Sequence, residues 1–131
     1  MKCNVLIVDD SPVLRNAIHK VTRLAGVPDD RIFTAGNGKE ALAVLDATWI
    51  DLVLLDINMP VMDGEEFTRE VRKNPTLADL KIVVVSTEAN DERLKRLRDL
   101  GVVETLRKPF QPEDLCHLIS KLLGVSPSCA S

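Results

Sequence analysis

The chain has 131 residues and a mass of 14.5 kDa, enough for one domain with a real hydrophobic core. Hydrophobic residues make up 45% and charged residues 28%, which excludes a disordered chain. A formal charge of -3 with 3% aromatic residues supplies neither a basic stripe nor a stacking platform, so no nucleic-acid partner is expected.

Val5-Leu6-Ile7-Val8 reads as a buried strand that ends in Asp9-Asp10. Ser11-Pro12 then supplies an N-cap and a first helical position. Val13, Leu14, Ala17, Ile18, Val21 and Leu24 recur at three- and four-residue spacing, which predicts a first helix with Gly26 as its stop. Arg31 to Ala35 is a weaker second strand. Asn37 with Glu40 resembles a capping box, and Ala41, Leu42, Val44 and Leu45 form the apolar face of a second helix. Leu52 to Leu55, four apolar residues ending in Asp56, predict a third strand buried on both faces.

Asn58, Met59, Pro60, Asp63 and Gly64 are loop chemistry. Phe67 and Val71 predict a short third helix that closes near Asn74-Pro75. Ile82 to Val85 is the clearest strand, and it ends in Ser86-Thr87. Asn90 or Asp91 caps a fourth helix with Leu94, Leu97 and Leu100 inward, and Gly101 stops it. Val102 to Leu106 is a fifth strand, followed by Lys108-Pro109. Leu115, Leu118, Ile119 and Leu122 mark a last helix ended by Gly124, with residues 125–131 as a short flexible tail. Five apolar strands alternating with five helices predict an α/β fold with a parallel sheet covered on both faces. Residues 1–124 are expected to form its one domain.

Three cysteines, Cys3, Cys116 and Cys129, fit neither a metal site nor a disulfide framework, so reduced thiols are expected. Met1-Lys2-Cys3-Asn4 shows no signal peptide, and no apolar run reaches membrane-spanning length; a cytoplasmic protein with no membrane partner follows as an expectation.

Polar residues gather at the carboxyl ends of the strands, where open parallel sheets bind ligands. These are Asp9, Asp10, Asp56, Ser86, Thr87 and Lys108. If the first, third, fourth and fifth strands are neighbours, they share one crevice. Clustered carboxylates repel unless a cation joins them, and oxygen ligands without His or Cys point to Mg²⁺ or Mn²⁺. Asp56 then serves as a nucleophile toward a phosphoryl group, with Lys108 and the Ser86 hydroxyl on the phosphoryl oxygens. Taken singly, each residue has an ordinary alternative. Asp9-Asp10 also suits a helix start, Asp56 a strand-end turn, and Lys108 a surface lysine. The signal lies in their coincidence at successive strand ends.

The stretches Val8-Asp9-Asp10-Ser11, Leu55 to Gly64, Val85-Ser86-Thr87-Glu88 and Lys108-Pro109-Phe110 resemble the receiver domains of two-component response regulators. The likeness covers about Lys2 to Leu123 and is nearest to the stand-alone, chemotaxis CheY-like type. It implies a flavodoxin-like (CheY-like) doubly wound sheet of five parallel strands in the order 2-1-3-4-5, an order carried over from the family. It further implies that Asp56 takes phosphate from a sensor histidine kinase and that Asp9 or Asp10, or both, hold Mg²⁺ together with Asp56 and the backbone carbonyl of Asn58. Ser86 and Lys108 assist, Glu88 sits among the modulating positions, and the bond before Pro109 is a candidate cis peptide. The expected product is a phospho-switch rather than a turnover enzyme. It would be a monomer or weak dimer that changes its affinity for a downstream protein at the face of the fourth helix, fifth strand and fifth helix. The charged residues Asp91 to Asp99 lie at or beside that face, or form an ordinary solvated one.

Two positions depart from the family pattern. Thr105 stands where a switch Tyr or Phe is usual, and Thr87 where Ala or Gly is usual. A phosphorelay intermediate, passing its phosphate to another histidine, is the alternative function. A phosphatase of the haloacid-dehalogenase type is disfavoured, because its nucleophile would follow the first strand with a second Asp two residues on; here Ser11 follows Asp9-Asp10.

Overall fold

The structure, a computed structural model, describes residues 3–87 and 90–124. The strands are β1 (Val5–Val8), β2 (Ile32–Ala35), β3 (Leu52–Leu55), β4 (Lys81–Ser86) and β5 (Glu104–Arg107). The helices are α1 (Pro12–Leu24), α2 (Gly38–Ala47), α3 (Gly64–Arg72), α4 (Asp91–Asp99) and α5 (Pro112–Leu123). Every pairing is parallel and the sheet order is β2-β1-β3-β4-β5, the doubly wound flavodoxin-like arrangement that the resemblance implied.

Strand periodicity divides the core into two layers. Val5 and Ile7 of β1, Leu52 and Leu54 of β3, and Val83 and Val85 of β4 pack against Ile18 and Val21 of α1 and Leu115 and Ile119 of α5. The intervening residues Leu6, Val8, Val53, Leu55, Ile82 and Val84 meet Ala41 of α2, Phe67 and Val71 of α3, and Leu97 of α4. Each of the first four helices begins on a polar side chain that accepts from the backbone: Ser11, Asn37, Asp63 and Asn90. Asn90, rather than Asp91, is therefore the cap of α4. The expected capping box at Asn37 is half formed: Asn37 Oδ1 accepts from the Glu40 N–H at 2.9 Å, while Glu40 Oε1 accepts from the Gly36 N–H at 3.0 Å, one residue before the cap.

The expected α1 forms, and Ile18 and Val21 carry it into the core, while Val13 and Leu24 are 77% and 48% exposed and Ala17 is exposed as well. Two expectations need correction. The fifth strand starts at Glu104, two residues late. Val102 is buried ahead of it, and the Val103 N–H bonds Ile82 O at 2.9 Å. The chain enters the sheet only after that contact. Cys3 is free, but Cys116, fully buried on α5, is disulfide-bonded, so the expectation of reduced thiols fails there. The expected tail, 125–131, lies outside the described residues. Among the described residues no helix is long and apolar enough to cross a membrane.

Candidate functional site

The sheet brings the polar strand ends together. Val8, Leu55 and Val84 lie in one register row, and the Asp56 N–H bonds Val8 O at 2.9 Å. Asp9 therefore sits beside Asp56. At the far side the Lys108 N–H bonds Ser86 O at 3.0 Å, which carries the lysine out over the same edge. Its Nζ lies 2.8 Å from Asp9 Oδ2 and 3.9 Å from Asp56 Oδ1. Asp9, Asp56 and Ser86 are all buried, while Asp10 is exposed. Asp9 Oδ1 also accepts from the Ser11 N–H at 2.9 Å.

The charges are finely opposed. At an effective dielectric of about 20, Lys108 at 3.9 Å favours ionised Asp56 by about 4 kcal/mol before solvent screening. Carboxylate oxygens of Asp9, Asp10 and Asp56 lie within 4.8 Å of one another, so Asp9 opposes ionisation by a similar amount. Burial then decides. Desolvation raises the Asp56 pKa above its ordinary value, against the pull of Lys108 and of hydrogen bonds from the Ser86 hydroxyl and the Ile57 N–H. Three clustered carboxylates with oxygen-only donors fit a hard divalent cation.

The loop after Asp56 is tightly made. The Met62 N–H bonds Pro60 O at 2.7 Å across Val61, whose φ of 68° is unusual for a β-branched residue. Met62 O accepts from the Gly38 N–H at 3.0 Å, anchoring the loop on α2. A Cβ at Gly64 would lie 2.5 Å from Asp56 O and 2.8 Å from Ile57 Cα, so only glycine lets α3 start against the strand end that carries Asp56.

The remaining candidates fall around this centre. The Lys108-Pro109 bond is cis, as anticipated. Thr87 is exposed and lines an apolar groove with Val13, Leu14, Lys108, Pro109 and Phe110. Thr105 is half-buried on β5 and lines a cavity of about 170 Å³ with Val84, Ser86, Asp91 and Leu94. Glu88 lies outside the described residues. Asn58 is exposed, and its side-chain oxygen accepts from Arg93 Nη1 at 3.1 Å.

Sequence reasoning passed over two groups. Gly64 reads in the sequence as loop chemistry; its close approach to Asp56 is a property of packing. Arg93 and Arg96 belong in the sequence to a charged run that reads as solvated or partner-facing. Both also reach Glu65 of α3, a buried carboxylate that Arg69 holds as well. Their hydrogen bonds and charges lower the Glu65 pKa, Arg96 foremost.

A family profile described as response regulator receiver domain matches residues 5–120. The chain is 33% identical over 121 residues to the cyclic di-GMP phosphodiesterase response regulator RpfG of Xanthomonas campestris, covering 92% of this chain but 32% of that relative. It is 32% identical over 121 residues to the two-component response regulator ORR5 of Oryza sativa subsp. japonica, covering 92% of this chain and 88% of the relative. Among solved structures, the Vibrio cholerae chemotaxis protein CheY4 superposes with a TM-score of 0.83 at 33% identity, covering 93% of this chain and 99% of that one.

Proposed function

The chain belongs to the response regulator receiver domain family of two-component signalling, and on that premise we propose that Asp56 is its phosphoacceptor. Strongest support comes from Lys108, whose ammonium spans the buried carboxylates of Asp9 and Asp56 at 2.8 and 3.9 Å. In the proposed step an Asp56 oxygen forms the bond to phosphorus while the P–N bond of a donor phosphohistidine breaks. The leaving imidazole nitrogen keeps the electron pair and takes a proton. Asp9, Asp10, Asp56 and the Asn58 carbonyl would hold Mg²⁺, which when bound neutralises charge on the phosphoryl oxygens. Lys108 holds a phosphoryl oxygen from the other side. The Ser86 hydroxyl exchanges its bond to the Asp56 carboxylate for one to the phosphoryl group. Hydrolysis reverses the state: water attacks phosphorus and the carboxylate returns.

The donor is a sensor histidine kinase, and the output is altered binding of a downstream protein at the α4-β5-α5 face, as in a chemotaxis-type, cytoplasmic phospho-switch. Incubation with acetyl phosphate and MgCl₂ should give a hydroxylamine-labile label, lost in Asp56→Asn. Label persisting in that variant at Asp9 or Asp10 would overturn the assignment.

A further inference from the structure

We infer that Arg93 is a positioning residue that carries the state of the Asp56 loop to α4, an inference resting on the function proposed for Asp56. Among the described residues its guanidinium reaches three acceptors at once. Nη1 meets Asn58 Oδ1 at 3.1 Å, Nη2 meets Asp63 Oδ2 at 3.2 Å, and Nε lies 3.3 Å from Glu65 Oε1. Asn58 stands two residues after the phosphoacceptor, and Asp63 is the N-cap of α3. Arg93 itself stands in the first turn of α4. One side chain therefore joins the loop that must adjust around a cation and a phosphoryl group to the helix at the proposed output face.

The helix is built to respond. Leu97 is its one buried residue, with Leu94 half-buried, so little apolar contact holds it in place. Arg96 adds two bonds to Glu65 at 3.0 and 3.2 Å. On the opposite side, the cavity of about 170 Å³ lined by Ser86, Asp91, Leu94 and Thr105 leaves α4 room to move. The family's aromatic switch is replaced there by Thr105, so a relay through a large side chain at that position is not open to this chain. The route through Asn58 and Arg93 is short and polar. A shift of Asn58 by about 1 Å takes a 3.1 Å contact beyond hydrogen-bonding range and loosens the clamp. Lysine cannot replace the arginine, since a single ammonium cannot span the three acceptors as a planar fork does.

Hydrogen exchange read by mass spectrometry on the full chain tests this, with and without MgCl₂ and beryllofluoride. In the wild type, exchange in α4 peptides should change about fivefold on addition. In Arg93→Lys that ligand-induced change should fall below about twofold, with exchange in β1, β3 and β4 peptides remaining slow as the check on folding. Arg93→Ala should behave alike. If Arg93 merely stabilises α4, both variants will exchange faster in both states and keep the fivefold difference, which overturns the inference. An unresponsive α4 in the wild type overturns it too, and labelling of Asp56 in the same preparation leaves the proposed function standing. Absence of label at Asp56 overturns the proposed function and this inference with it.

Discussion

Gly64→Ala probes how closely the site depends on backbone packing. The added methyl would stand 2.5 Å from Asp56 O and 2.8 Å from Ile57 Cα. Ordinary contact begins at 3.4 Å, so the gap must open by 0.9 Å. Both obstacles are backbone, and both sit in a hydrogen-bonded frame: the Asp56 N–H on Val8 O at 2.9 Å and the Gly64 N–H on Ile57 O at 2.8 Å. Overpacking costs about 1–3 kcal/mol, and straining the Gly64 bond about 1 kcal/mol more. A total of about 2–4 kcal/mol lowers Tm by about 8–15 °C for a domain of this size. If Asp56 is the nucleophile proposed above, a displacement near 1 Å slows its labelling about 10²-fold. Thermal unfolding by circular dichroism and the initial rate of labelling by acetyl phosphate measure the two effects. Gly101→Ala is the control. Its φ is 89° and its nearest neighbours are atoms of the Arg72 side chain, so it should lose about 1 kcal/mol of stability and little labelling. If Gly64→Ala labels within about threefold of wild type, the contact does not hold Asp56 in place.

Lys108→Met leaves the buried Asp9 without its ammonium; the cost in urea unfolding should be about 3 kcal/mol. MgCl₂ should recover more stability in that variant than in the wild type, and equal stabilities without Mg²⁺ would refute the pairing. Thr87→Ala, at the mouth beside Lys108, should speed both labelling by acetyl phosphate and loss of the label; equal rates in the two proteins would show that Thr87 does not narrow the site. Glu65 has its pKa lowered by Arg96, so its ionised form is bound more tightly in the folded state. Its contribution is present above about pH 4.5 and lost as pH falls through the lowered folded value. Glu65→Gln should therefore be less stable than wild type at pH 7, by about 1–3 kcal/mol. The gap should narrow in urea titrations as the buffer is taken below pH 4, and a gap that stays constant with pH would contradict this.

The sequence by itself determined the class of fold and which polar residues stand at the strand ends. Val5 to Val8, Leu52 to Leu55 and Ile82 to Val85 are apolar on both faces, which only a covered parallel sheet satisfies. Each run ends in polar residues because the chain leaves the core there. Such signals are local, and so they are legible residue by residue. Adjacency is not local. Lys108 and Asp9 stand 99 positions apart and meet at 2.8 Å because β1 lies between β2 and β3 while β4 carries β5 at the far edge. Val13 and Leu24 matched helical spacing yet face outward, since what covers a helix is decided by its neighbours. The same holds for charge. Arg93 and Arg98 read alike in the run from Asp91 to Asp99, but only Arg93 is drawn into the clamp on Asn58, Asp63 and Glu65. A guanidinium's role depends on the acceptors packed across from it, and those were placed by tertiary structure alone.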